Sequence, residues 1–68
     1  MTLGRLKGCD IVVDDESASR RHCTLTAREE VCVVSDLQSA NGTFVNDRRV
    51  TTAELSEGDK VRIGSTVL

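Results

Sequence analysis

The sequence predicts an all-β fold, a small antiparallel β-sandwich. Three observations carry this. Apolar and polar residues alternate strictly within short segments, β-branched residues are concentrated in those segments, and turn-forming residues separate them. Strands this short and frequent pack as two antiparallel sheets. With 68 residues the chain reads as one domain over its whole length. Such a domain buries only about 60% of the surface its unfolded form exposes.

The elements follow in order. The first strand is expected over Thr2–Arg5 and the second over Ile11–Val13. "CTLTA" puts Cys23, Leu25 and Ala27 on one face, and "VCVVS" puts Val31, Val33 and Ser35 on one face, with "REE" as the turn between them. Pairing Ala27 with Val31 sets Leu25 opposite Val33. Cys32 then points away from the face of Cys23, so no Cys23–Cys32 disulfide is expected. Strands Thr43–Val45 and Arg48–Val50 flank Asn46-Asp47, a pair that tolerates the positive φ of a tight hairpin. "TTAELSE" has at most one helical turn in it. "SEGDK" turns the chain into Lys60–Ile63, and a last fragment covers Thr66–Leu68.

Composition excludes several function classes. Nine Lys and Arg stand against eleven Asp and Glu, a net charge of −2, where a non-specific nucleic-acid binder would be basic. One Phe and no Trp or Tyr leave no platform for stacking bases. The three cysteines, Cys9, Cys23 and Cys32, form no CxxC pair and read as reduced intracellular thiols, not a disulfide frame or zinc site. No apolar run approaches the roughly 20 residues that span a bilayer, and nothing resembles a signal peptide. A cytoplasmic protein is expected, without membrane contact. The acidic run Asp14, Asp15, Glu16 lacks the spaced oxygen ligands of a calcium loop and reads as a solvated turn.

The chain's one histidine lies in "SRRHC", three residues after Ser19. A catalytic pair would need a nucleophile, a base, an orienting acid and an oxyanion hole in a water-excluding cleft. A sandwich of this size has little room for one, and no GxSxG elbow is present. His22 directly precedes a strand, where it braces a loop onto the sheet. Ser19 with Arg20 fits a clamp for an anion better, since a phosphate carries about −1.5 to −2 charges and three acceptor oxygens. Downstream, "SANGTFVN" contains the turn pair Asn41-Gly42, and Thr43 can hydrogen-bond local backbone. Asn41-Gly42-Thr43 also fits a glycosylation sequon, which would require secretion.

Taken together, "LGR" at 3–5, "CDIVV" at 9–13, "SRRH" at 19–22, "DLQSANGTFVN" at 36–46 and "LSEGDKVRIG" at 55–64 resemble a forkhead-associated (FHA) domain over nearly the whole chain. The resemblance implies a β-sandwich that binds phosphothreonine peptides at one end. Arg5 would meet the phosphate, Ser19 would donate its hydroxyl, and Arg20 would add a backbone or side-chain donor. Asn41 would bond the peptide backbone. Gly4, His22, Gly42 and Thr43 would support the loops. The implied partner is a phosphothreonine-containing protein, with a Ser/Thr kinase upstream and no cofactor, metal or enzymatic activity.

Two departures from the family pattern stand out. Residue 40 is Ala, where many members have a polar side chain, and Ser39 is a doubtful replacement. The chain also looks short at both ends for this family, which would leave sheet edges unpaired and open to a homodimer, or would make the chain a fragment of a larger protein. The alternative is an FHA-like scaffold that assembles through its surfaces and ignores phosphate.

Overall fold

A computed structural model describes residues 1–68. It contains nine strands: β1 (Thr2–Gly4), β2 (Ile11–Val12), β3 (Cys23–Arg28), β4 (Val31–Asp36), β5 (Thr43–Val45), β6 (Arg48–Val50), β7 (Thr52–Leu55), β8 (Val61–Ile63) and β9 (Thr66–Val67). They form a five-stranded sheet in the order β2-β1-β3-β4-β7 and a four-stranded sheet in the order β6-β5-β8-β9. The all-β sandwich expected from the sequence is the fold observed. No helix is long and apolar enough to cross a membrane.

The β3–β4 hairpin corrects the expected register. Arg28 pairs with Val31, so Ala27 faces Cys32 and Leu25 faces Val34. The loop is the two-residue Glu29-Glu30, with Glu29 at φ 53; counting Arg28 into the turn shifted the pairing by one. A one-residue slip exchanges the faces. Cys32 therefore shares a face with Cys23 instead of opposing it, and Val34 becomes the fully buried residue of β4. The thiols still do not pair. Cys23 lies at the Asp36 end of the hairpin and Cys32 at the Ala27 end, about 13 Å apart at about 3.3 Å per residue, beyond disulfide reach.

"TTAELSE", where the sequence offered at most one weak helical turn and no strand, yields strand β7. Ala53 pairs with Val34 and Leu55 with Cys32, so alternate residues of β7 extend the inner face and Thr52 and Glu54 point outward. Four residues with that alternation gain more from an edge pairing than from one isolated turn. One pairing is parallel, β1 with β2, against the antiparallel rule of the rest.

The core lies between the sheets. Leu3, Cys23 and Val34 come from one layer and Val61 and Ile63 from the other, while Val13 and Ala18 plug it from the β2–β3 connection. Burial pushes the Cys23 thiol up, so it stays protonated and inert. Asn46 and Asp47 both take positive φ (51 and 66) in the two-residue β5–β6 turn, as their residue types allow.

Candidate functional site

Three connections meet at one end of the sandwich: β1–β2, β2–β3 and β4–β5. Gly4 ends β1 because nothing larger fits there. A Cβ on it would lie 2.2 Å from the Arg20 carbonyl oxygen. That approach lets Arg5 N–H donate to Ser19 O (3.1 Å) and Leu6 N–H to Arg20 O (3.2 Å), setting Arg5 beside Ser19 and Arg20.

His22 ties these loops together. It is fully buried. Its Nδ1 accepts the Ser19 backbone N–H at 3.0 Å and its Nε2 lies 2.7 Å from Gly42 O. An N–H donor on one side and a carbonyl on the other select the Nε2–H tautomer. His22 N–H also donates to Leu3 O, and its carbonyl accepts Leu37 N–H. One residue therefore links β1 and both neighbouring loops. The imidazole contacts the amide of Ser19 and not its hydroxyl, so the pair lacks the contact between nucleophile and base that catalysis needs.

Asp36, at the end of β4, organises the β4–β5 loop. Its carboxylate accepts Ser39 N–H (3.1 Å), Ser39 O–H (2.5 Å) and Thr43 O–H (2.7 Å). Partial burial pushes this carboxyl up, but the bonds from Ser39 and Thr43 outweigh that and hold it below the usual range. Ser39 Oγ in turn accepts Gly42 N–H at 3.0 Å. The buried Ser39 is a loop brace and is not available to replace the polar contact absent at Ala40. Gly42 sits at φ +88, a conformation that disfavours any side chain.

The four expected contact residues come together on this frame. Ser19 Oγ accepts Ala40 N–H at 3.0 Å, which leaves its O–H free to donate outward. Asn41 Nδ2 donates to Ser17 O at 2.7 Å, joining the two loops and leaving Oδ1 open. Arg5 and Arg20 are exposed, with neither guanidinium hydrogen-bonded within the chain. The Arg20 backbone N–H is likewise without an internal acceptor. Two uncommitted guanidinium groups, a hydroxyl and a backbone N–H carried by these adjoining loop residues can hold an anion with several acceptor oxygens.

Asp15 was read as part of a solvated acidic turn, and the structure corrects that. Its carboxylate accepts Ser17 N–H and O–H, Ser65 N–H and Thr66 O–H. The Ser17 side chain and backbone, then Thr66, hold it well below the usual carboxylate range. It pins the β2–β3 loop to the β8–β9 turn. The signals for both acids were short-range: Asp36-x-x-Ser39 and Asp15-x-Ser17 are spacings at which a carboxylate caps a turn.

A family model described as FHA domain matches residues 1–64. The chain is 44% identical over 63 residues to the ABC transporter ATP-binding/permease protein Rv1747 of Mycobacterium tuberculosis, covering 93% of this chain and 7% of that protein. It is 42% identical over 67 residues to the FHA domain-containing protein FhaB of Mycolicibacterium smegmatis, covering 97% of this chain and 43% of that one. The chain thus spans less than half the length of these curated relatives. Among solved structures, an FHA domain studied for phosphothreonine-dependent interactions superposes with a TM-score of 0.93 at 33% identity, covering 97% of this chain and 69% of that one. Mycobacterium tuberculosis EmbR in complex with a low-affinity phosphopeptide also gives 0.93, at 34% identity, covering 97% and 18%.

Proposed function

The chain belongs to the FHA domain family, and on that premise we propose that it binds phosphothreonine peptides and so mediates phosphorylation-dependent protein–protein interaction. The observation that carries this is the set of uncommitted donors, Arg5, Ser19 O–H, Arg20 and the Arg20 N–H, on loops that His22 and Asp36 hold in place. Similarity to domains whose interactions depend on phosphothreonine or that were solved with a phosphopeptide supports it. Arg5, Ser19 and Arg20 take the phosphate, and Asn41 Oδ1 accepts from the peptide backbone. Gly4, His22, Gly42 and Thr43 keep the loops in register. A scaffold that ignores phosphate would have no use for these donors, and they are present and unspent.

A charge-assisted hydrogen bond is worth about 1.5–3 kcal/mol, so Arg5→Ala should weaken binding by about tenfold to a hundredfold. Burial of the threonine methyl in the complex would add about 0.8 kcal/mol, roughly fourfold over phosphoserine. Fluorescence anisotropy with phosphothreonine, phosphoserine and unphosphorylated peptide pools tests this. The expected order of affinity is phosphothreonine, then phosphoserine, with no binding of the unphosphorylated pool. Equal binding of all three would sink the proposal.

A Ser/Thr kinase upstream and a cytoplasmic setting belong to the same proposal. So does self-association through a sheet edge. Edge strand β2 is the candidate seam, because Ile11 and Val12 are 36% and 50% exposed there. A light-scattering mass that stays at the monomer value as concentration rises would remove the dimer.

A further inference from the structure

We propose that a cationic ledge on the outer face of the β6-β5-β8-β9 sheet reads an acidic stretch of the phosphorylated partner, with Arg49 joining that ledge to the phosphate-binding loops. This rests on the phosphopeptide reading above and adds to it a second part of the footprint.

The ledge is a single cross-strand row. Arg49 pairs with Phe44, Phe44 with Arg62, and Arg62 with Val67. Residues paired in this way share a face. Their neighbours in the strands, Thr43, Val61 and Ile63, are buried on the inner face, so the row faces out. Lys60 is exposed two positions before Arg62 on the same side. A shallow hollow of about 300 Å³, lined by Asn46, Asp47, Lys60, Arg62 and Val67, opens beside it.

Arg62 is held in place, and Arg49 is packed against a loop. The Arg62 guanidinium lies 4.1 Å from the Phe44 ring centroid and donates to Gly64 O at 3.0 Å. Arg49 lies against the peptide-contacting loop: a Cβ on Gly42 would come within 2.7 Å of its Nε. The missing side chain at Gly42 is what lets the guanidinium rest there, one residue from Asn41. The cations of this row outnumber the carboxylates beside it. Asp59 is already spent on Asn46 Nδ2 and Ser56 N–H, which leaves Asp47, at the rim of the hollow. Three cations on one face of a chain with a net charge of −2 gain nothing from one another within the fold, so the ledge suits an anionic ligand. The outer face of the other sheet differs, with Glu54 beside Val33 and Glu29-Glu30 at its turn.

Arg49 and Arg62 are two strand spacings apart, about 10 Å, which an extended peptide covers in about three residues. The ligand is therefore a segment with two Asp or Glu about three residues apart, continuous with the phosphothreonine on the side that passes Asn41.

The test uses one neutral phosphothreonine peptide, versions with such a Glu pair on either side, and unphosphorylated forms of each. Wild type, Arg49→Gln and Arg49→Glu are compared. One of the two acidic versions should bind wild type about fivefold tighter than the neutral peptide at low salt, and the advantage should shrink as salt screens it. That ratio should approach one in Arg49→Gln and turn against the Glu pair in Arg49→Glu. A ratio near one in wild type for both acidic versions, with phosphate dependence intact, overturns the ledge alone, as does a ratio unchanged in Arg49→Gln. A neutral peptide that binds no better with phosphate than without defeats the phosphopeptide reading instead. In that case Arg49-sensitive binding of an unphosphorylated acidic peptide still reports the ledge.

Discussion

His22 shows how much one side chain sets in so small a domain. It satisfies the Ser19 N–H and the Gly42 carbonyl at once, across loops twenty residues apart in sequence. Replacing it by Ala leaves both groups without partners inside a buried cavity, a loss of about 2–4 kcal/mol. Urea unfolding followed by circular dichroism should show that loss, and the folded fraction should bind phosphopeptide weakly. A variant as stable as wild type would mean that the loops are held by other contacts. The bracing role was legible from the position of His22 at a strand entry. Its partners were not, because they depend on which loops close over it. Arg5, Ser19, Arg20 and Asn41 could be put forward as contact residues for the opposite reason: their strings sit in a fixed order along the chain. Asp36 escaped notice and Asp15 was misread as a solvated acid, because a carboxylate that caps a loop looks, in sequence, like any surface acid.

At the scale of the elements, turns decided what could be read. Asn46-Asp47 announced a two-residue hairpin, and Thr43–Val45 and Arg48–Val50 form as expected. Glu29-Glu30 carries no such residue types, yet Glu29 adopts φ 53, and the β3–β4 register was misplaced by one. The loops depend on carboxylates in the same way. Asp15, Asp36 and Asp59 all have folded-state values below their ordinary ones. A lowered folded pKa contributes stability that is full above the unfolded value of about 4 and is lost as pH falls through the folded value. The share of stability these three carboxylates contribute should therefore be constant above about pH 5 and decline below about pH 4. Asp36→Asn should flatten that acid limb while lowering the neutral plateau. An acid limb of the same slope in the variant would show that Asp36 does not contribute to it. Circular dichroism is the suitable probe, since the chain has no Trp or Tyr.

For the whole molecule, period and turn spacing were enough to fix the all-β class but not to say which strand joins which sheet. The chain changes sheets between β6 and β7 across the single residue Thr51, whose carbonyl accepts Asp36 N–H at 2.8 Å. Nothing local marks that crossing, because it depends on how the two layers meet. The same holds for the parallel β1–β2 pair, which forms between strands of three and two residues. The architecture places a small apolar core, a cluster of seven buried residues, beneath a rim whose order comes from hydrogen bonds. That division lets the rim present unspent donors without costing the core.

The most direct measurement is a titration of the isotope-labelled protein with one phosphothreonine peptide, following backbone amide resonances. The Arg20 amide has no acceptor within the fold, and under the proposed function it gains a phosphate oxygen on binding. It should show one of the largest shifts, together with Arg5, Ala40 and Asn41, and the unphosphorylated peptide should move none of them. Saturation with the Arg20 amide unmoved and the shifts centred on another face would contradict the assignment of this rim as the phosphate site.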